Sequence, residues 1–109
     1  MSNTVRTITV KELKRMMDEQ EEFQLIDVRE QNEYDFCNIG GELIPMGQIV
    51  KNLDRISKEK KVVMQCRSGS RSGNVVAALQ QRYGYTNLYN LEGGILAWSE
   101  EIDPNIPQY

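Results

Sequence analysis

The chain has 109 residues, 39% of them apolar and 27% charged, with a formal charge of -3 at pH 7. That length fits one domain, 1–109, with a core of ordinary size. The acidic balance argues against nucleic acid or an anionic membrane as the main partner, no apolar run is long enough to span a bilayer, and the lack of histidine excludes a Cys-His dyad, a Ser-His-Asp triad and a His-ligated metal within the chain.

Only two cysteines occur, Cys37 and Cys66. A disulfide scaffold of this size needs more, so a reducing, cytoplasmic setting is expected. The opening "MSNTVRTITVKEL" has no apolar h-region, so no secretory signal is expected. No repeat of 20 to 50 residues is visible.

The first element is "RTITV", an alternating β-branched run that predicts a short strand. "TVKE" follows as a capping box, with Thr9 as N-cap and Glu12 reaching back. Leu13, Met16 and Met17 then mark a helical stripe, and the charges of "KELKRMMDEQEE" read as its solvated face. "FQLIDV" (23–28) predicts a second strand, and "NEYDFCN" a short helix. "ELIP" predicts a brief strand closed by Pro45. Ile49, Leu53 and Ile56 predict a helix over 47–57. "KVVMQ" is continuously apolar rather than alternating, as in a buried parallel strand. Val75, Val76, Leu79 and Tyr83 predict the next helix, ended by Gly84. "NLYNL" is the last strand, "GGILAWSEEI" the last helix and "DPNIPQY" a tail.

Strands and helices alternate, which predicts a parallel α/β sheet with helices on both faces. Ligands of such sheets sit at the carboxyl ends of the strands. Cys66 lies there, immediately before a helix, in "CRSGSRSG". Thiolate is the reactive form of cysteine. A helix N-terminus favours negative charge, and Arg67 and Arg71 add positive charge nearby. The small residues Ser68, Gly69, Ser70, Ser72 and Gly73 allow successive N–H groups to converge as an anion nest. The competing reading is a small buried hydrophobe beside solvated arginines. Spacing alone leaves both open, and the combination favours a reactive cysteine.

These residues resemble the rhodanese family of sulfurtransferases. "CRSGSR" (66–71) is similar to its active-site loop, "LIDVREQNEY" (25–34) to its Asp-Val-Arg block, "NIGGELIP" (38–45) to its Ile-Pro block and "LEGGILAW" (91–98) to its Gly-Gly-x-x-x-Trp block. The ending "GGILAWSEEIDPNIPQY" resembles the rhodanese domain of ubiquitin-like-protein activating enzymes. The resemblance implies a three-layer α/β/α fold with a central, mostly parallel five-stranded sheet. It implies that Cys66 takes a sulfane sulfur as a persulfide and passes it to a thiophilic acceptor, in a thiosulfate:cyanide sulfurtransferase type of reaction. No cofactor and no metal are expected. The partners implied are a donor such as thiosulfate or a protein persulfide, and a small-molecule or sulfur-carrier-protein acceptor.

Within that frame Arg67 is expected to face an anionic donor. Arg71 is expected to fix the loop through a carboxylate, with Asp27 as its partner. Asp27 and Arg29 read as support that ties strand ends together. Gly93 and Gly94 read as a turn with close helix packing, and Trp98 as core or core edge. Where the family has Gly-His, this chain has Cys37-Asn38, and Gly41 replaces an alanine. Cys37 reads as packing rather than as a resolving thiol for Cys66. Two other functions compete. A phosphatase or arsenate reductase on the same fold has a Cys-x5-Arg loop, one residue longer than the run from Cys66 to Arg71. A non-catalytic binding module is found where the family cysteine is lost, and Cys66 is present.

Overall fold

In the computed structural model, which describes residues 4–109, five parallel strands form one sheet. The strands are β1 (Thr7–Ile8), β2 (Phe23–Asp27), β3 (Glu42–Leu43), β4 (Lys61–Gln65) and β5 (Leu88–Leu91). Their spatial order is β1-β5-β4-β2-β3, and every neighbouring pair is parallel. Helices α1 (Val10–Asp18), α2 (Gln31–Phe36) and α3 (Ser70–Tyr83) connect β1 to β2, β2 to β3 and β4 to β5, and α4 (Gly94–Glu101) follows the last strand. No helix among the described residues is long and apolar enough to cross a membrane.

β4 is the central strand, and its continuous apolar pattern has a direct cause. Val62 and Met64 face one core with Val75, Val76 and Leu79 of α3. Val63 faces the other with Leu13 and Met16 of α1 and Trp98 of α4. A strand covered on both faces has no side left for polar residues. Cys66 belongs to the α3 side of this packing.

Several boundaries differ from those expected. β1 stops at Ile8, because Thr9 turns out of the sheet to cap α1. Thr9 Oγ1 accepts the Glu12 N–H at 3.1 Å, which is half of the expected capping box. The Glu12 carboxylate goes instead to Arg15, which also pairs with Glu19 and Glu21. The helix expected over 47–57 is two 3-10 segments, Met46–Gln48 and Val50–Arg55, the second kinked at Asn52 with φ -125° and ψ 29°. The Asn52 side chain donates to the Gln48 carbonyl at 2.8 Å, a local bond that competes with helical pairing. Ile49 and Ile56 are nevertheless buried, so the spacing marked the apolar face without fixing the winding. Tyr83, expected on the apolar stripe of α3, is exposed. Gly84 ends that helix at φ 70°, as its position predicts.

Candidate active site

Cys66 leaves the carboxyl end of β4 in the middle of the sheet, and only 1% of it is exposed. Its sulfur accepts hydrogen bonds from the Gly69 N–H at 3.1 Å, the Ser72 N–H at 3.4 Å and the Ser72 hydroxyl at 3.2 Å. Gly69 turns the chain at φ 103° and is the N-cap of α3. That left-handed conformation suits glycine, and it aims the first N–H groups of the helix back at the sulfur. The sulfur thus sits in a small nest of main-chain N–H groups at the start of α3, with the Ser72 hydroxyl beside it. The loop is narrower than the expected cradle. Ser68 and Ser70 are exposed, and Ser72, in the first turn of α3, supplies two of the three contacts.

The Ser72 hydroxyl also lies 2.5 Å from Asn90 Oδ1. A hydroxyl has one proton, so sulfur and amide oxygen compete for it. The Asn90 amide is oriented by its own Nδ2, which donates to the Gly69 carbonyl at 2.9 Å. Asn90 therefore fixes both the turn and the serine from the neighbouring strand β5.

The two loop arginines are placed differently. Arg71 donates from Nη1 and Nη2 to the Glu33 carboxylate of α2, at 2.7 and 2.8 Å. The expected partner, Asp27, is already occupied. It takes the Arg29 main-chain N–H at 3.1 Å, Nε at 2.9 Å and Nη2 at 2.8 Å, and both residues are fully buried. Arg29 is two residues away and saturates the carboxylate before Arg71 can compete. Arg29 Nη2 also donates to the Cys37 carbonyl at 2.7 Å, so the pair joins the end of β2 to the end of α2. Burial opposes the Arg29 charge, but the bonds to Asp27 and Tyr109 outweigh it and hold its pKa above the ordinary guanidinium value.

The Arg71 bonds, against burial, hold the Glu33 carboxyl at about 2. Glu33 Oε1 also accepts the Glu30 N–H at 3.0 Å, which starts α2. Arg67 contrasts with its neighbours. Among the described residues its side chain has no hydrogen-bond or ion-pair partner, and its Nε is buried without an acceptor.

Cysteine, loop and sheet edge have a match among known proteins. The rhodanese-like domain family matches residues 9–101. The chain belongs to this family. It is 36% identical over 106 residues to the putative sulfurtransferase YtwF of Bacillus subtilis, covering 92% of this chain and 96% of that protein. It is 34% identical over 106 residues to the probable adenylyltransferase/sulfurtransferase MoeZ of Mycobacterium tuberculosis, covering 94% of this chain but only 27% of MoeZ. Among solved structures, a rhodanese-like domain protein from Staphylococcus aureus superposes with a TM-score of 0.81 at 32% identity, covering 96% of this chain and 99% of that one.

In this rhodanese-like domain the Gly-Gly block buttresses the cysteine loop. Ile95 N–H donates to the Cys66 carbonyl at 3.0 Å and Leu96 N–H to the Arg67 carbonyl at 3.1 Å. The start of α4 thus holds the loop backbone directly. A Cβ at Gly94 would lie 2.6 Å from the Cys66 carbonyl oxygen, and Gly94 has φ 58°. Both glycines serve the turn and close packing expected of them, and Trp98 is buried at 7% exposure.

Three contributors escaped the sequence reading. Glu33 lies inside the "LIDVREQNEY" block, and its spacing from Glu30 is that of a capping pair, which could have drawn attention to it. Asn90 is a polar residue in an otherwise apolar strand, a sign of a buried partner. Tyr109 closes the tail and reaches the site. Its hydroxyl accepts from Arg29 Nη1 at 2.9 Å and donates to Glu33 Oε2 at 2.7 Å. Burial pushes the Tyr109 phenol up, so it stays protonated at neutral pH. Cys37 is a buried free thiol, with its sulfur 3.7 Å from the Pro107 carbonyl of the same tail.

Proposed function

We propose that the protein is a sulfurtransferase whose nucleophile is Cys66. The observation that carries this reading is the convergence of two N–H groups and one hydroxyl on the Cys66 sulfur. With thiosulfate, the Cys66 thiolate attacks the outer sulfur. The S–S bond of the donor breaks, sulfite leaves with the bonding pair, and a Cys66 persulfide anion remains. A nucleophile such as cyanide or a thiolate then attacks the terminal sulfur and releases the Cys66 thiolate. The two half-reactions give ping-pong kinetics. The Gly69 and Ser72 donors face the charge at each stage.

Arg67 is the residue we assign to an anionic donor, because it follows the nucleophile and its charge is uncommitted. Arg71 is assigned to the loop, because Glu33 uses both of its terminal nitrogens. That commitment also disfavours a phosphatase, which needs the loop arginine free for a tetrahedral oxyanion, and the Cys-x4-Arg run is one residue short of that loop. Ser68 and Ser70 contribute backbone to the loop, and Asp27 with Arg29 supports it. We take 1–109 as one rhodanese domain acting in a reducing, cytoplasmic setting, in keeping with its two free thiols. A protein persulfide is the alternative donor class, and a sulfur-carrier protein the alternative acceptor.

The test is intact mass after incubation with thiosulfate, or with a protein persulfide, followed by cyanide. The expected result is a gain of one sulfur atom that cyanide removes, and no gain in Cys66→Ala. A gain that persists in Cys66→Ala, or no gain from either donor in the unaltered protein, overturns the assignment.

A further inference from the structure

The tail "DPNIPQY" is fastened at several points. Ile106 packs on the α1/α4 core, and its carbonyl accepts the Ser99 hydroxyl at 2.5 Å. Ile106 N–H donates to the Asp103 carbonyl at 3.1 Å. These contacts deliver Tyr109 to the carboxyl edge of the sheet. There its ring meets Phe36 edge-on, with centroids 5.9 Å apart at 74°. The Arg67 guanidinium carbon stands 5.0 Å from the centre of the same ring.

The charges around this point are unequal. Arg29 is neutralised by Asp27 and Arg71 by Glu33. Arg67, the residue after Cys66, alone of the three is left with an uncompensated charge. A free guanidinium on a long side chain samples many rotamers and loses entropy when it binds a ligand. Stacked on an aromatic face it is attracted by the ring quadrupole and held in one plane, yet its in-plane N–H edge stays free. Such an edge suits the oxygens of a compact oxyanion.

We propose that Tyr109 is a positioning residue that holds Arg67 as the receptor for a small oxyanionic sulfur donor, an inference that rests on the sulfurtransferase reading of Cys66. The ring faces Arg67 at 5.0 Å and, farther off, Arg29 at 5.9 Å, while the hydroxyl bonds Arg29 and Glu33. Arg67 meets the ring alone, so its part can be separated from that of the hydroxyl. Removing the hydroxyl loosens the α2 side of the site. Removing the π face releases Arg67.

The experiment uses Tyr109→Phe, Tyr109→Leu, Arg67→Ala and the Arg67→Ala/Tyr109→Leu double variant. Two readouts are taken. One is the KM and kcat for thiosulfate with cyanide as acceptor. The other is thiosulfate affinity by calorimetry in the same set carrying Cys66→Ala, where no chemistry occurs. Leucine keeps an apolar contact with Phe36 but has no π face. Tyr109→Leu is expected to raise KM, and to weaken affinity, by about threefold to tenfold with kcat changed less than about twofold. Tyr109→Phe is expected to bind thiosulfate within about twofold of the parent while melting earlier. In the Arg67→Ala background, Tyr109→Leu is expected to add nothing. Unchanged affinity in Tyr109→Leu, an equal loss with and without Arg67, or a loss in Tyr109→Phe as large as in Tyr109→Leu overturns the proposal. If no variant turns over sulfur, the reading of Cys66 fails, while the affinity cycle still decides whether Tyr109 acts through Arg67.

Discussion

Replacing Glu33 by glutamine removes a charge while keeping the shape of the side chain, and its cost can be worked from the structure. The gap between about 2 and the ordinary carboxylate value of 4.5 corresponds to about 3 kcal/mol of preference for the charged form. Solvent reaches 32% of the Arg71 side chain and 15% of the Glu33 side chain. Screening at the more open end reduces the usable part to about 1–2 kcal/mol. The folded-state value lies below the unfolded one, so this stability is present in full above pH 4.5. It is lost as the pH falls through about 2. Urea unfolding of the parent and of Glu33→Gln at pH 7, 5.5, 4 and 3 measures it. The parent should be more stable by about 1–2 kcal/mol at neutral pH, or about 5–10 °C in Tm, and the two curves should draw together below pH 4. The rate of persulfide formation should fall in the variant, because Arg71 no longer pins the loop to α2. A stability difference that stays constant from pH 7 to pH 3, or one close to zero at pH 7, would refute the assignment of Glu33 as the loop's electrostatic anchor.

Gly94→Ala drives a methyl group into the Cys66 and Arg67 carbonyls and should cost about 2–3 kcal/mol in urea unfolding, with persulfide formation slowed; a neutral effect would mean α4 does not buttress the loop. Asn90→Ala removes the Asn90 amide from the Gly69 carbonyl and from the Ser72 hydroxyl, which keep only the Gly73 N–H and the Cys66 sulfur, and should cost about 1–3 kcal/mol and lower kcat more than it raises KM. Inserting one glycine between Ser68 and Gly69 moves the Gly69 N–H off the sulfur and should abolish the gain in mass with thiosulfate; unimpaired transfer would show that loop length does not select the chemistry.

The order of elements and the place of Cys66 were legible because both depend on local pattern. A strand buried on both faces must read as an apolar run, and "KVVMQ" does. The helix-initiating turn after Cys66 follows from glycine and serine in a row. What could not be read depends on which distant groups meet. Asp27 suggests itself for Arg71 because it ends the strand beside the one that leads into the Arg71 loop, yet the fold offers Asp27 a nearer cation in Arg29 and offers Arg71 a carboxylate 38 residues away on α2. Asn90 reaches Ser72 only because β5 lies beside β4, an adjacency fixed by the crossovers rather than by neighbouring residues. The segment 47–57 shows the reverse limit. Its apolar spacing reports which residues face inward, and 3-10 turns satisfy that spacing as well as an α-helix does.

The buried Asp27–Arg29 pair constrains how such a sequence can drift. Losing one member strands the other charge in the interior, at a cost of about 3–5 kcal/mol, whereas exchanging both for apolar residues of similar volume is often close to neutral. Each single step away from the pair therefore crosses a valley that a simultaneous double step avoids. Lysine gives no bridge across it. A point ammonium cannot reach Asp27, the Cys37 carbonyl and the Tyr109 hydroxyl together as the planar fork of Arg29 does. Two residues that never touch the sulfur are thereby locked to each other and, through α2 and the tail, to the geometry in front of it.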